Sequence, residues 1–385
     1  MTEAERETLL NLAFRPHYPI EDLASFFGRE TEKARVVQAL HSPGQHVVIY
    51  GERGAGKTSL ARVSTIAYSR VDVFCERDSS FSKLARDVVL KLQEKAPAKL
   101  VFDAINNRIS INGVMKSIDE LDGNSLKALL PKESVVLIFD EVDRLPENTI
   151  ASLGEFTKNL ATDLPTATLV FVGVGETVSD LLRGHDSVFR NIRSVGLGKF
   201  DTDAIIQAIL DKGGVTLGLS FSPESVASIV DASDRYPYYV QLLGITSARL
   251  AMTEGVTIVT QDHVTRGAES AAQDADETLR DTYEAAILSS RSDVYKYVLW
   301  GLATLDNRIE GAVGQIAEAA SKFTSEPISA QVAGAALKKL AEEGRGDIVT
   351  MRVMGPKKTF YSFSHPLMRG FVRLRIINAN QNSTQ

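Results

Sequence analysis

Short runs of apolar, often β-branched residues recur through the first two hundred positions, separated by longer stretches in which apolar residues return every three or four positions. The runs are His46 to Tyr50, Val71 to Cys75, Val135 to Phe139, Leu169 to Val174 and Ser194 to Leu197. Near-continuous apolar runs of this length are strands buried on both faces. Their alternation with helical patterns predicts a mainly parallel sheet covered by helices, an α/β core over residues 1–200. Between Lys95 and Glu133 the pattern weakens into a mixed segment, read as an elaboration of that core with no motif of its own.

From Asp201 the strand signals fade and helical periodicity takes over. Ser222, Pro223 and Glu224 start one helix and Thr260 to His263 another, which predicts a small helical domain over 201–275. A polar, acidic stretch then reads as a linker over 276–292. Beyond it, Asp293 to Ala303, Val313 to Lys322 and Ala330 to Glu343 read as three helices. Ile348 to Met354, a Gly355–Pro356 turn with Lys357 and Lys358, and Thr359 to Phe363 read as a hairpin. Three helices followed by a hairpin predict a winged-helix domain over 293–377. The polar tail, 378–385, is expected to be disordered.

Composition narrows the class. The 385 residues are 44% apolar and 24% charged, the balance of an ordinary globular chain long enough for two or three domains. A single cysteine, Cys75, excludes an internal disulfide framework, fits a reducing compartment and reads as a packing residue at a strand end. No apolar run approaches the roughly twenty residues that span a bilayer, and the N-terminus is acidic rather than a signal peptide, so the expectation is a cytoplasmic protein without a membrane partner. The formal charge is −6, but Lys338 to Arg375 holds nine basic against three acidic residues, which makes the C-terminus the basic end. The six histidines, His17, His41, His46, His185, His263 and His365, show no ligand spacing, and no zinc is expected.

The chemistry lies in two motifs. GERGAGKTS places Gly51, Glu52, Arg53, Gly54, Ala55, Gly56, Lys57, Thr58 and Ser59 after one predicted strand and at the start of a helix. Glycines at that spacing let the backbone curl so that its N–H groups and the helix dipole face a phosphate. Lys57 would reach the β and γ phosphates and Thr58 would hold Mg²⁺. VVLIFDEVD then ends a buried strand in two carboxylates. Asp140 can hold the Mg²⁺ water shell, and Glu141 can polarise an attacking water. No convincing Asn/Thr-Lys-x-Asp loop for guanine occurs, so ATP is the favoured nucleotide.

Together, FFGRE (Phe26 to Glu30), GERGAGKT, FDEVDRL (Phe139 to Leu145) and FVGVGET (Phe171 to Thr177) resemble the AAA+ ATPases. Within that class the chain is similar to initiators of the origin-recognition type and to STAND-type signalling ATPases. The resemblance spans nearly the whole chain and implies a P-loop parallel-sheet core, a helical lid and a C-terminal winged helix. It implies that Pro19, Ile20 and Phe27 lie near adenine, although the same residues would serve as a hydrophobic staple. It implies an arginine finger entering a neighbouring subunit, for which Arg190 is the better candidate and Arg193 the second; a homo-oligomer follows. In the lid, Arg235 and Pro237 match the region that senses nucleotide, or a plain helix N-terminus. The chain departs from the family on the fourth strand, where a polar sensor is usual and Gly173, Val174 and Gly175 stand here, leaving Glu176 or Thr177 to substitute.

Two functions stay open. The first is an oligomeric, ATP-hydrolysing switch of the initiator or transposition-regulator type that binds duplex DNA through Lys338, Lys339, Arg352, Lys357 and Lys358. Arg369, Arg373 and Arg375 add to the basic excess of the final helix. The second is a STAND-like signalling or defence ATPase whose winged helix binds a protein effector.

Overall fold

The computed structural model describes residues 2–95, 102–103, 105–175, 189–274, 277–288, 293–305, 310–355, 358–365 and 367–382. The chain divides into two compact units. One is Pro19–Gly198, and the other joins Met1–Tyr18 to Lys199–Gln385.

The first unit is built on five parallel strands: β1 (His46–Gly51), β2 (Arg70–Phe74), β3 (Val135–Asp140), β4 (Ala167–Val174) and β5 (Ile192–Leu197). Their spatial order is β2-β3-β4-β1-β5. The predicted strands are all present, each extended by one or two residues at an end or shifted by one. Alternate residues of the sheet enter two separate cores. Val48, Leu137, Phe139 and Phe171 pack under the helices Phe81–Lys95 and Glu147–Asp163. Val47, Ile49, Val136, Ile138 and Val170 pack under Glu30–Leu40 and Lys57–Ser64. Burial on both faces explains why these strands read as unbroken apolar runs. Cys75 is buried in the first core, and burial pushes its thiol well above the ordinary range, as suits a packing residue.

The mixed segment holds a three-stranded antiparallel meander, Phe102–Asp103, Arg108–Ile111 and Val114–Ser117, followed by the helix Gly123–Leu129. Its second turn is Asn112-Gly113, with φ of 52° and 84°. That pairing is the strongest short hairpin signal a sequence carries.

In the second unit the helix Glu3–Ala13 is capped by Thr2 and lies against the lid helices Asp203–Leu217 and Pro237–Glu254. The expected core of 1–200 is corrected here: residues 1–18 join the lid. The reason is Phe14, fully buried in a slot made by two glycines. A Cβ at Gly213 would stand 2.2 Å from its ring, and one at Gly244 2.6 Å. The lid continues through Pro223–Ser233 and Gln261–Asp274. Where a linker was expected over 276–292, residues Glu277–Ile287 form a helix that buries Leu279, Tyr283 and Ala286. The Tyr283 hydroxyl accepts the Trp300 indole N–H at 3.0 Å.

The C-terminal module runs helix Val294–Ala303, strand Gly311–Ala312, helices Val313–Ser321 and Ala330–Leu340, then the antiparallel pair Val349–Gly355 and Lys358–Phe363. The strand Gly311–Ala312 completes a three-stranded sheet along Lys358–Phe363. The last helix, Met368–Asn382, continues into the segment expected to be disordered, since helix covers 378–382; 383–385 lie outside the described residues. Among the described residues no helix is long and apolar enough to cross a membrane.

At the start of β1, His46 is fully buried. Its Nδ1 accepts the Leu169 N–H at 3.1 Å and its Nε2 donates to the Thr157 carbonyl at 3.2 Å, which fixes a neutral ring. Burial lowers its pKa from 6.5 to about 4, with the Thr157 bond opposing. The folded pKa lies below the unfolded one, so as pH falls through 6.5 the unfolded chain takes the proton first, and stability drops until about pH 4. This residue alone should cost about 3 kcal/mol across that window. Urea unfolding between pH 7 and 4 should therefore show a steeper loss in the wild type than in His46→Gln; equal slopes would count against the neutral buried ring.

Candidate nucleotide site

A parallel sheet brings the C-terminal ends of its strands to one edge, and β1 and β3 deliver the two motifs there with β4 between them. The loop after β1 turns on glycine. Gly51 has φ of 144°, and a Cβ on it would sit 2.0 Å from the Leu197 carbonyl oxygen of β5. Gly56 is left-handed at φ 87° and caps the helix Lys57–Ser64 with open space around it.

Lys57 is 9% exposed, and its Nζ donates to the carbonyl oxygens of Gly51 at 3.0 Å and Glu52 at 2.8 Å. The ammonium thus lies within the curl of the loop. Burial lowers its pKa to about 8, against the pull of Asp143 and Asp140, so it stays charged at neutral pH. The Thr58 hydroxyl donates to Asp140 Oδ2 at 2.8 Å, joining residues 82 positions apart. Asp140 Oδ1 accepts the Glu141 N–H at 2.9 Å. Burial raises the Asp140 carboxyl, opposed by Thr58, the Glu141 N–H and Lys57. Glu141 stands in a left-handed conformation, φ 59°, uncommon for a residue with a side chain. Burial raises its carboxyl too, and the guanidinium of Arg144, its ion-pair partner, opposes that.

These residues fit Mg²⁺ and a polyphosphate. A hydroxyl and a carboxylate converge as hard oxygen donors, and an ammonium and a glycine-lined loop lie beside them. Among the described residues no three of His, Cys, Asp and Glu gather to hold a metal by themselves. A cation here would draw its remaining ligands from phosphate and water.

Of the other expected site residues, Pro19, Ile20 and Phe27 are half-buried, and the Ile20 N–H donates to Ser59 Oγ at 3.0 Å, so that segment lies along the phosphate-loop helix. Arg190 is exposed in a short turn, Phe189–Asn191, directly before β5. Arg193 is inside β5, in register with Val47. Glu176 and Thr177 lie outside the described residues, as does His185. The end of β4 is tied elsewhere: the Val174 N–H donates to Asp143 Oδ1 at 2.8 Å. Asp143 and Arg144 are contributions that sequence reasoning missed, although both stand inside the FDEVDRL motif. With Arg53, Arg77 and Pro146 they line an open cleft of about 660 Å³.

In the second unit, Asp234 and Arg235 are consecutive left-handed residues, φ 48° and 61°, and Pro237 opens the helix Pro237–Glu254. Arg235 Nε bonds Asp203 Oδ1 at 2.6 Å. Asp234, nearly buried, is surrounded by cations: Lys199 at 3.2 Å, Arg369 at 3.3 Å and Arg373 at 3.9 Å.

This changes the picture of a basic C-terminus. Arg369 and Arg373 also donate to the Ala303 carbonyl, at 3.0 and 2.9 Å, and Arg375 pairs with Glu284 at 2.6 Å. The three arginines of the last helix, expected to add to an external basic surface, are held inside their own unit. Arg352, expected at a DNA surface, is exposed but paired with Glu310. Lys338 and Lys339 are exposed at the end of Ala330–Leu340, while Lys357 lies outside the described residues and Lys358 begins the last strand.

Residues 25–172 match the family model described as AAA ATPase domain, the segment that carries the P-loop and the parallel sheet the motifs predict. No curated protein matches the chain. Among solved structures, a Walker-type ATPase of Pyrococcus abyssi is 17% identical with a TM-score of 0.56, over 95% of this chain and 99% of that one. The ORC2 protein of Aeropyrum pernix is 16% identical with a TM-score of 0.54, over 96% and 98%. At such identities the likeness is one of fold, and it extends over the length of the chain.

The two loop glycines should respond differently to a methyl group. Gly51→Ala meets a backbone oxygen as well as an unfavourable φ and should lose about 3 kcal/mol of stability. Gly56→Ala meets only the left-handed φ and should lose about 1 kcal/mol. Urea denaturation of both variants checks this; equal losses would contradict the close approach of β5 to Gly51.

Proposed function

We propose that the chain is an ATP-binding and ATP-hydrolysing AAA+ switch. The observation that carries this is the Thr58–Asp140 hydrogen bond at 2.8 Å, which unites the phosphate loop and the acidic strand end into one oxygen set beside Lys57. ATP with Mg²⁺ supplies the transferable phosphoryl group and the cation that neutralises its charge. Gly51 to Ser59 bind the phosphates, Lys57 supplies positive charge to them, and Thr58 and Asp140 hold the cation. Glu141 accepts the proton of the attacking water. Arg190, exposed ahead of β5, is the residue offered to a neighbouring subunit, and assembly into a homo-oligomer follows from that role. Arg235 and Pro237 are the residues through which the lid answers to nucleotide.

The C-terminal module is read as a winged helix whose output is duplex DNA. Support for this is the exposed Lys338 and Lys339 at the end of the third helix and Arg352 on the hairpin; Lys357 and Lys358 extend the basic set in the sequence. A second reading has a specific observation behind it. Arg369, Arg373 and Arg375 are engaged internally, and the third helix exposes Gln331, Val332 and Ala335 beside its two lysines. A surface so modest in charge suits a protein effector.

Glu141→Gln should bind a fluorescent ATP analogue as the wild type does while losing hydrolysis by about 10²- to 10⁴-fold. Unchanged turnover in that variant would remove Glu141 from the mechanism. Light scattering with and without ATP tests the oligomer. Binding to duplex DNA, if it runs through two to five phosphate contacts, should weaken with salt at a log–log slope of about −2 to −4.5. A flat salt dependence, or no binding, would transfer the module to the protein-effector reading.

A further inference from the structure

Resting on the protein-effector reading of the C-terminal module, we propose that the outer edge of the strand Val349–Gly355 takes up an extended segment of a partner protein as an added strand, apolar at alternate positions and acidic between them. The three-stranded sheet runs Gly311–Ala312, Lys358–Phe363, Val349–Gly355. Val349–Gly355 thus lies at an edge and, among the described residues, pairs with one strand only.

The register fixes which backbone groups that edge presents. Val349 stands opposite Phe363, and the Ser364 N–H donates to the Ile348 carbonyl at 3.0 Å. In an antiparallel pair, hydrogen-bonded and non-hydrogen-bonded positions alternate, so Thr350 and Arg352 exchange their bonds with the inner strand. The N–H and C=O groups of Val349, Met351 and Val353 therefore point outward. A row of donors and acceptors at strand spacing is complementary to one kind of ligand, another extended backbone.

The side chains define what that backbone carries. On the face shared by Val349, Met351 and Val353, exposure rises toward the turn: Val349 is fully buried, Met351 is 45% exposed and Val353 63%. Across the ladder, the Tyr361 hydroxyl donates to Met351 Sδ at 3.5 Å. Edge strands are ordinarily blunted by lysine, proline or a bulge. The outward positions here carry neither residue, and the irregularity in the ladder falls after Val353, at the far end. Charge selects against a second copy of this chain. From Ile348 to Phe363 the sequence holds Arg352, Lys357 and Lys358 and no carboxylate. Glu310 answers Arg352 from outside the hairpin, which leaves the two lysines as its excess. Two such hairpins would set like charges together, whereas a partner strand with carboxylates beside its apolar residues is attracted.

The test titrates the full chain, by fluorescence anisotropy, with a labelled peptide alternating valine and glutamate, its valine–lysine counterpart and a fully N-methylated valine–glutamate peptide. The first should bind with a Kd below about 1 mM, and the other two should not. Val353→Pro removes an outward N–H while sparing the inner ladder, and should weaken binding at least about fivefold. Met351→Glu should weaken it comparably, and Val353→Thr should stay within about twofold of wild type. Hydrogen exchange over Val349–Gly355 should slow when the peptide is bound. Should Val353→Pro fail to fold, Met351→Glu and the N-methylated peptide still decide. Absence of binding by the valine–glutamate peptide, equal binding of its N-methylated form, or unchanged affinity in folded edge variants overturns the proposal. A dimer in light scattering that Val353→Pro or Met351→Glu dissociates overturns the choice of partner in favour of a second copy. If the peptide fails and duplex DNA binds with a steep salt slope, the protein-effector reading falls as well; if neither binds, the edge alone is refuted and that reading stands.

Discussion

The hydrogen bond from Thr58 to Asp140 depends on a constraint of the whole sheet. Parallel strands all end at the same edge, and a motif attached to each of two strands meets only if the strands lie close enough for side chains to bridge them. Here β4 separates β1 from β3, and its end is occupied by Gly173 and Val174, small enough to leave the carboxylate and the phosphate loop in reach of each other. Val174 is in turn bonded to Asp143 of the acidic turn. The acidic turn thus secures the end of this strand through the backbone of Val174.

The same constraint orders the charges around the site. Lys57 is buried on loop carbonyls, Asp140 is engaged by a hydroxyl and an amide, and Glu141 is shared with Arg144. Each ionised group that leaves water needs such a partner, because an unpaired buried charge is far more expensive than the pair. The second unit follows the same rule at Asp234, where Lys199, Arg369 and Arg373 converge on one nearly buried carboxylate. Of the charge that reads in the sequence as a surface for a polyanion, Arg369 and Arg373 are engaged by Asp234 and Arg375 by Glu284.

Legibility followed the range of the interaction concerned. The core strands are recognisable because burial on both faces selects apolar residues locally, and the phosphate loop because its glycines and lysine are contiguous. The Asn112-Gly113 hairpin was equally local and readable, but it stood within a segment whose short, half-exposed strands show little periodicity. Helix Glu277–Ile287 was obscured for a related reason: only Leu279, Tyr283 and Ala286 of its eleven residues are buried, so its polar face dominated the reading.

The chain by itself determined the sheet, the phosphate loop and the acidic pair, since each is written in neighbouring residues whose chemistry needs no distant partner. Only the tertiary structure decided where residues 1–18 belong, because the slot for Phe14 is made by Gly213 and Gly244, two hundred positions away. It likewise decided which arginines face outward and which are engaged by a buried carboxylate. A charged residue looks the same in a sequence whether it meets water or a buried partner, and that difference exists only once the chain has folded.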